Sequence, residues 1–526
     1  MCPNPANPAV LGPCEVLRSL KWAAPRGRSQ RHILQRRFPL ADAIALSPSQ
    51  FLPYEFELPR VIQGGMGVGV SNWKLARAVS KLGQMGVVSG TVIDTVLARR
   101  LQDGDVGGHM RRALEHFPIS QVAADALAKF FKPDGRAPGQ PYIALPMYQQ
   151  LVSRAREQFT MLASFVEVHL AKEGHDGLVG INLLTKVQMP NLALLYGAML
   201  AGVDFVLMGA GIPREIPAAL DAMAAHQPAQ MRLDLEDAAP GQVEHLTFDP
   251  AVHWEGAAPT LRRPRFLPIV ASNSLATMLV KKASSRVDGF VIEGPTAGGH
   301  NAPPRGHVEL NEGGEPIYGP RDEVDLAQIK ALGLPFWIAG GAGRPERLAE
   351  VTAEGAAGVQ VGTLFAYCNE SGIAESIRRS VLEHVVSGTV RVRTDARASP
   401  TGFPFKVVSW DGDPAAGVKR QRVCDLGYLR NAYARPGKTP GYRCASEPED
   451  QFAAKGGAPE ETAGRKCLCN ALLATIGLAQ TREDGWIETP MLTSGDDLTQ
   501  LSTFLAGRKE YTAADVVDYL LGAAKA

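Results

Sequence analysis

The sequence predicts an α/β fold, a (β/α)8 (TIM) barrel, on three observations. Eight short apolar runs rich in Val and Ile lie between residues 60 and 365, and most of them end in Gly or a small polar residue. Amphipathic stretches separate them. Runs that are apolar throughout are buried on both faces, as are strands of a parallel sheet covered by helices. Eight such units within roughly 300 residues fit a closed barrel with insertions, and an open doubly wound sheet is the structural rival.

In chain order the runs are RVIQGG (60–65), GVVSG (86–90), LVGINLL (178–184), DFVLMGAG (204–211), FLPIVAS (266–272), DGFVIEG (288–294), PFWIAGG (335–341) and GVQVGTLF (358–365). The intervening SNWKLARAVSKLG, MPNLALLYGAMLAG, NSLATMLVKKASSR and RPERLAEVTAEG begin near Ser, Asn or Pro and end at or near Gly or a basic residue, as helix termini prefer. A long insertion, 91–157, follows strand two, and a second irregular stretch, 226–264, precedes strand five. The barrel is expected over 51–370, with a C-terminal Cys-containing accessory region over 371–526. Residues 1–50 read as a disordered N-terminal extension or a transit peptide, because the first forty carry one acid, Glu15, against seven Lys or Arg.

Composition excludes several classes of function. Of the 526 residues 45% are hydrophobic and 21% charged, and the net charge is +1, so no global field favours nucleic acid or an anionic membrane. No stretch approaches the ~20 apolar residues of a membrane helix. Seven cysteines in so long a chain fit a reducing cytoplasm better than a disulfide scaffold. A small-molecule substrate is therefore expected, and a homo-oligomer is left open.

Barrel enzymes carry their chemistry at the carboxyl ends of the strands. Those ends read GGMGVG after strand one, Asn182 in strand three, EGPTAGGH after strand six, AGGAG after strand seven and GTLF after strand eight. Glycine there lets backbone N–H groups approach an anion closely, and the loops after strands seven and eight form the usual phosphate site of this fold, next to a helix starting near Arg344. GGMGVG lacks the acidic residue at the next strand's end that a nicotinamide-binding fold needs, and that reading is rejected.

VIQGGMGVGVSNWKLARAVSKLGQMGVVSGT, GINLL, VDGFVIEGPTAGGHNAPP, FWIAGGAG and AAGVQVGTLF resemble, in order and spacing, the nitronate monooxygenase (2-nitropropane dioxygenase-like) family. The resemblance covers residues 59 to about 370, with an echo in SPTGFPFKV (399–407). It implies an FMN-dependent oxidoreductase that oxidises alkyl nitronates with O2 to a carbonyl compound and nitrite. It further implies His300 as the catalytic base and Gly298 and Gly299 against the flavin. Gly340, Gly341, Gly362 and Thr363 would surround the phosphate, with Gly65, Met66 and Asn182 near the isoalloxazine ring. The chain departs from the family at Glu293, Thr296, Asn301 and Phe403, all around the substrate pocket. A flavin-dependent enoyl-thioester reductase on the same scaffold is the alternative; a non-enzymatic binding module is a further rival.

Single residues divide in the same way. His300 lies beside two glycines at a strand's carboxyl end, and a base titrating near neutrality suits proton abstraction next to a nitro group. His307 follows two prolines and reads as structural or exposed; His175, in EGHDG, reads as a helix-end residue. Cys424, Cys444, Cys467 and Cys469 admit a metal or a reduced, core-filling role, and their spacing decides neither. The basic run RGRSQRHILQRR (26–37) reads as a solvated tail.

Overall fold

The computed structural model describes residues 56–522, all within one compact unit. The N-terminal extension and the basic run lie outside the described residues.

Eight parallel strands form the expected barrel. They are β1 (Val61–Gln63), β2 (Gly86–Ser89), β3 (Val179–Leu184), β4 (Phe205–Gly209), β5 (Arg265–Val270), β6 (Phe290–Glu293), β7 (Phe336–Ala339) and β8 (Gly358–Val361). Each pairs with its sequence neighbour, and β1 pairs with β8 in parallel register, Val61 opposite Val359. The ring closes between β1 and β2 through Gln63 N–H to Met85 O (2.9 Å) and Met85 N–H to Val61 O (3.1 Å). An open doubly wound sheet is thereby excluded.

Alternation along the strands divides the core into two layers. Ile62, Val87, Phe205, Leu207, Leu267, Val291 and Trp337 fill the barrel interior, while Val61, Val88, Val206, Phe266, Ile292 and Val359 face the helices. Period-two alternation with both faces apolar is what makes the runs read as continuous hydrophobic stretches. The fully buried Trp337 donates its indole N–H to Pro59 O (2.8 Å), satisfying its one polar atom.

The predicted helices form where their caps indicate: α1 (Trp73–Lys81), α2 (Asn191–Leu200), α3 (Asn273–Lys282) and α4 (Pro345–Ala353). Asn72 caps α1 by accepting the Leu75 N–H at 3.0 Å, and Ser272 caps α3 by accepting the Leu275 N–H at 3.1 Å. The 91–157 insertion folds into helices Ile93–Gln102, His109–Leu114 and Ser120–Phe130 before the barrel helix Arg154–Lys172. The irregular 226–264 stretch is an antiparallel hairpin, Ala229–Leu233 with Glu244–Phe248, plus a short strand, Leu235–Glu236, that joins Asn431–Tyr433 of the C-terminal region.

That C-terminal region is folded onto the barrel. Its hairpin, Arg391–Asp395 with Phe405–Ser409, and its helix Leu468–Thr475 approach the carboxyl ends of the strands, while helix Ala513–Leu521 packs against α1 and α4.

Candidate active site

At the carboxyl ends of the strands a cavity of about 1460 Å³, its open mouth included, brings every predicted site residue together: Gly65, Met66, Asn182, Gly298, Gly299, His300, Gly340, Gly341, Gly362 and Thr363. These residues come from five separate loops and strands, and the barrel's closure is what gathers them.

The loop after β1 is held by Ser71, whose Oγ donates to Gly64 O (2.7 Å) and accepts the Met66 N–H (2.8 Å). A Cβ built on Gly65 would fall 2.2 Å from the Asn182 Cβ, so the backbone must be bare there. Asn182 in turn donates Nδ2–H to Gly65 O (3.0 Å), which leaves its Oδ1 buried without a partner. Gln360 Oε1, on β8 and also lining the cavity, is a second buried acceptor without a partner. Buried acceptors of this kind are expected to be satisfied by something.

On the opposite side Gly340 and Gly341 adopt φ of +86° and +63°, backbone that a branched residue rarely adopts, and a Cβ on Gly340 would meet Thr296 Oγ1 at 2.9 Å. The loop leads into α4, whose first helical residue is Pro345. Thr363 opens a short helix after β8 and accepts the Gly495 N–H on its Oγ1 (3.1 Å). Asp497 accepts the Gly343 N–H (3.2 Å), and burial raises its carboxyl above the usual carboxylate range.

His300 is held on two sides by C-terminal segments. Asn301 N–H donates to Pro404 O (3.0 Å) and Lys406 N–H to Gly299 O (2.9 Å), pinning the loop after β6 to the strand Phe405–Ser409. From the other side Gly299 N–H donates to Thr493 Oγ1 (2.9 Å) and Asp496 N–H to Thr296 O (3.0 Å), while Lys406 Nζ pairs with Asp496 (2.6 Å). The imidazole packs edge-on against Phe405, ring centroids 4.9 Å apart, and its Nε2 hydrogen-bonds with Ser399 Oγ at 2.7 Å. Ser399 Oγ also accepts the Thr401 N–H (3.2 Å). Desolvation pushes the imidazole down to about 4, so at neutral pH it is uncharged. The near-neutral titration expected from sequence is corrected by this enclosure. Glu293, at the end of β6 in the same cavity, is pushed up to about 8 by desolvation and is protonated at neutral pH.

Several lining residues carry no motif. Val92, Phe405, Tyr428, Leu429, Leu468, Cys469 and Leu472 are contributed by the insertion and the C-terminal region. The Tyr428 hydroxyl is bonded to Asp94 and Thr95, and Asp94 pairs with the buried Arg156 at 2.7 Å, a network that anchors the 424–430 segment to the insertion. His175 caps its helix end through Ala171 O (2.7 Å), and His307 is exposed. Cys424, Cys444, Cys467 and Cys469 are free thiols. Among the described residues no group of three or more His, Cys, Asp or Glu side chains is arranged to hold a metal ion, and no helix is long and apolar enough to cross a membrane.

Residues 257–403 match the family model for nitronate monooxygenase. His300 lies within that segment. With it the chain is a flavin-dependent oxidoreductase. No curated protein sequence matches the chain. Among solved structures it is similar to FabK from Thermotoga maritima (16% identity, 88% of this chain and 92% of that one, TM-score 0.44). It is also similar to a nitroalkane oxidase from Streptomyces ansochromogenes (16% identity, 88% and 95%, TM-score 0.42). A third similar structure is the enoyl reductase domain of MlnA from the macrolactin biosynthesis cluster of Bacillus amyloliquefaciens (12% identity, 89% and 94%, TM-score 0.40).

Proposed function

We propose that the chain is an FMN-dependent nitronate monooxygenase, converting alkyl nitronates and O2 to carbonyl compounds and nitrite. The observation that carries the reading is a neutral imidazole, His300, fixed beside a glycine-walled cavity whose buried acceptors lack partners, within the segment that matches the family.

The residues present fit a flavin. Gly65, Gly298 and Gly362 line the cavity with backbone, and the orphaned Asn182 Oδ1 and Gln360 Oε1 are acceptors for the ring's N–H. Gly340, Gly341 and Thr363, beside the N-terminus of α4, would hold the phosphate by backbone donors. The bound flavin supplies electron transfer, which no side chain here can provide.

The protein's own work is orientation and proton control. His300 Nδ1 has no protein partner among the described residues. For it to accept a proton, Nε2 must carry the hydrogen and donate it to Ser399 Oγ. An imidazole held near 4 is a weak base, which disfavours making a nitronate from a neutral nitroalkane and favours a substrate that arrives already deprotonated. Protonated Glu293 carries no charge that would repel that anion.

The balanced reaction consumes two nitronates and one O2 and yields two carbonyl compounds and two nitrites. The test is to release the cofactor from purified protein by heat and identify it, then measure nitrite from a preformed nitronate. One FMN per chain and stoichiometric nitrite support the reading. Rapid bleaching of the flavin by NADPH, with no nitrite formed, would transfer the assignment to the enoyl-thioester reductase.

A further inference from the structure

Past the glycine loops the cavity continues over an apolar wall. Beyond the glycine loops its wall is a separate hydrophobic cluster, distinct from both barrel cores. Val92 comes from the insertion, Val187 from the loop after β3, Phe405 from the C-terminal hairpin, and Leu429, Leu468 and Leu472 from the C-terminal region; all line the cavity. Leu184 and Leu472 remain partly exposed inside it, which is unfavourable for apolar side chains unless an apolar ligand covers them. Tyr428 belongs to the same cluster and lines the cavity, its hydroxyl bonded to Asp94 and Thr95. The wall is continuous with His300, since Phe405 belongs to the cluster and packs against the imidazole at 4.9 Å.

From this we infer that the site accepts a substrate with a medium-length, linear aliphatic chain, the reacting group beside His300 and the chain along the wall of Val187, Leu429, Leu468 and Leu472. The inference rests on the nitronate reading for the head group alone; the chain's binding is independent of it. Burial of each added methylene strengthens binding, by about fourfold for full burial.

The experiment uses the flavin-loaded full-length protein and a series of primary alkyl nitronates from two to ten carbons, with kcat/KM as the readout. A parallel series of inert primary amides, acetamide to octanamide, is titrated calorimetrically. The inference predicts a rise of about threefold or more per methylene over several members of both series. Leu472→Trp should fill the chain's position, lowering the octyl-to-ethyl kcat/KM ratio at least tenfold; Val187→Phe serves the same purpose if that variant does not fold. Amide affinities that rise with chain length, without turnover of any nitronate, would keep the apolar wall and remove the nitronate reading. Flat profiles in both series, or an octyl-to-ethyl ratio unmoved in a folded Leu472→Trp protein, would overturn the inference.

Discussion

The two walls of the cavity are built on opposite principles. The proposed cofactor wall is backbone: Gly65, Gly298, Gly340, Gly341 and Gly362 come from the barrel's own loops, and at Gly65, Gly298 and Gly340 a Cβ would lie within 3.0 Å of a neighbouring atom. The proposed substrate wall is side chain: Val187, Phe405, Leu429, Leu468 and Leu472 present apolar surface from segments outside the barrel strands. Backbone can hold a ligand only where the chain is bare, so its positions are few and nearly irreplaceable. Apolar contact is non-directional and spread over area, so it tolerates exchange of one residue for another. His300 stands where the two meet, fixed by Ser399 and Phe405 on one side and by Thr493 through Gly299 on the other.

Substitutions should separate the walls. The largest effect is expected at their junction. His300→Asn should lower kcat/KM for a neutral nitroalkane by about 10²-fold, the low end for a positioned base, and for the preformed nitronate by tenfold or less, with flavin retained. Equal losses on both substrates would make His300 a binding group. On the cofactor wall, Gly341→Val places a branched residue at φ +63°. A strain of ~1–3 kcal/mol should weaken FMN binding by roughly ten- to a hundredfold while the fold persists. Ultrafiltration of flavin from protein with an unchanged circular dichroism spectrum measures it, and undiminished flavin would misplace the phosphate site.

Smaller effects test the positioning of the imidazole. Ser399→Ala removes one hydrogen bond and should reduce kcat/KM about two- to tenfold, chiefly in kcat, with Ser399→Thr recovering most of the loss. A loss in KM alone would contradict a positioning role. The pH profile is the gentlest probe. With His300 near 4 and Glu293 near 8, activity on nitronates should be level between about pH 5 and 7.5 and decline through pH 8 as a carboxylate forms beside the anionic substrate. Glu293→Gln should remove the decline. The same raised value means the folded state holds a proton that the unfolded state has released. Stability from this group is therefore complete below about 4.5 and lost as pH rises through about 8. The thermal midpoint of Glu293→Gln should accordingly gain on the wild type toward pH 8.

The same contrast explains what the sequence revealed. All eight strands were legible, because burial on both faces leaves an uninterrupted apolar run and a glycine at its end, as in DGFVIEG and PFWIAGG. The glycine wall was legible because a residue type encodes it directly. The position of His300 could be read, but its low pKa could not: the enclosure comes from residues 399–406 and 493–497, about a hundred and two hundred positions away. The apolar wall was hidden because Val, Leu and Phe outside the barrel strands look like ordinary core, and only tertiary packing turns them toward a cavity. Glu293 could be seen as an acid at a strand's end, yet nothing local marks it as protonated.

The central claim is that a flavin on the glycine wall and the neutral His300 together oxidise a nitronate. The most direct measurement is the simultaneous recording of O2 uptake and nitrite release by purified, FMN-loaded protein given a preformed alkyl nitronate at neutral pH without any nicotinamide. The account predicts one nitrite per nitronate consumed and half as much O2. Oxygen uptake without nitrite, or no reaction until NADPH is added, would contradict it.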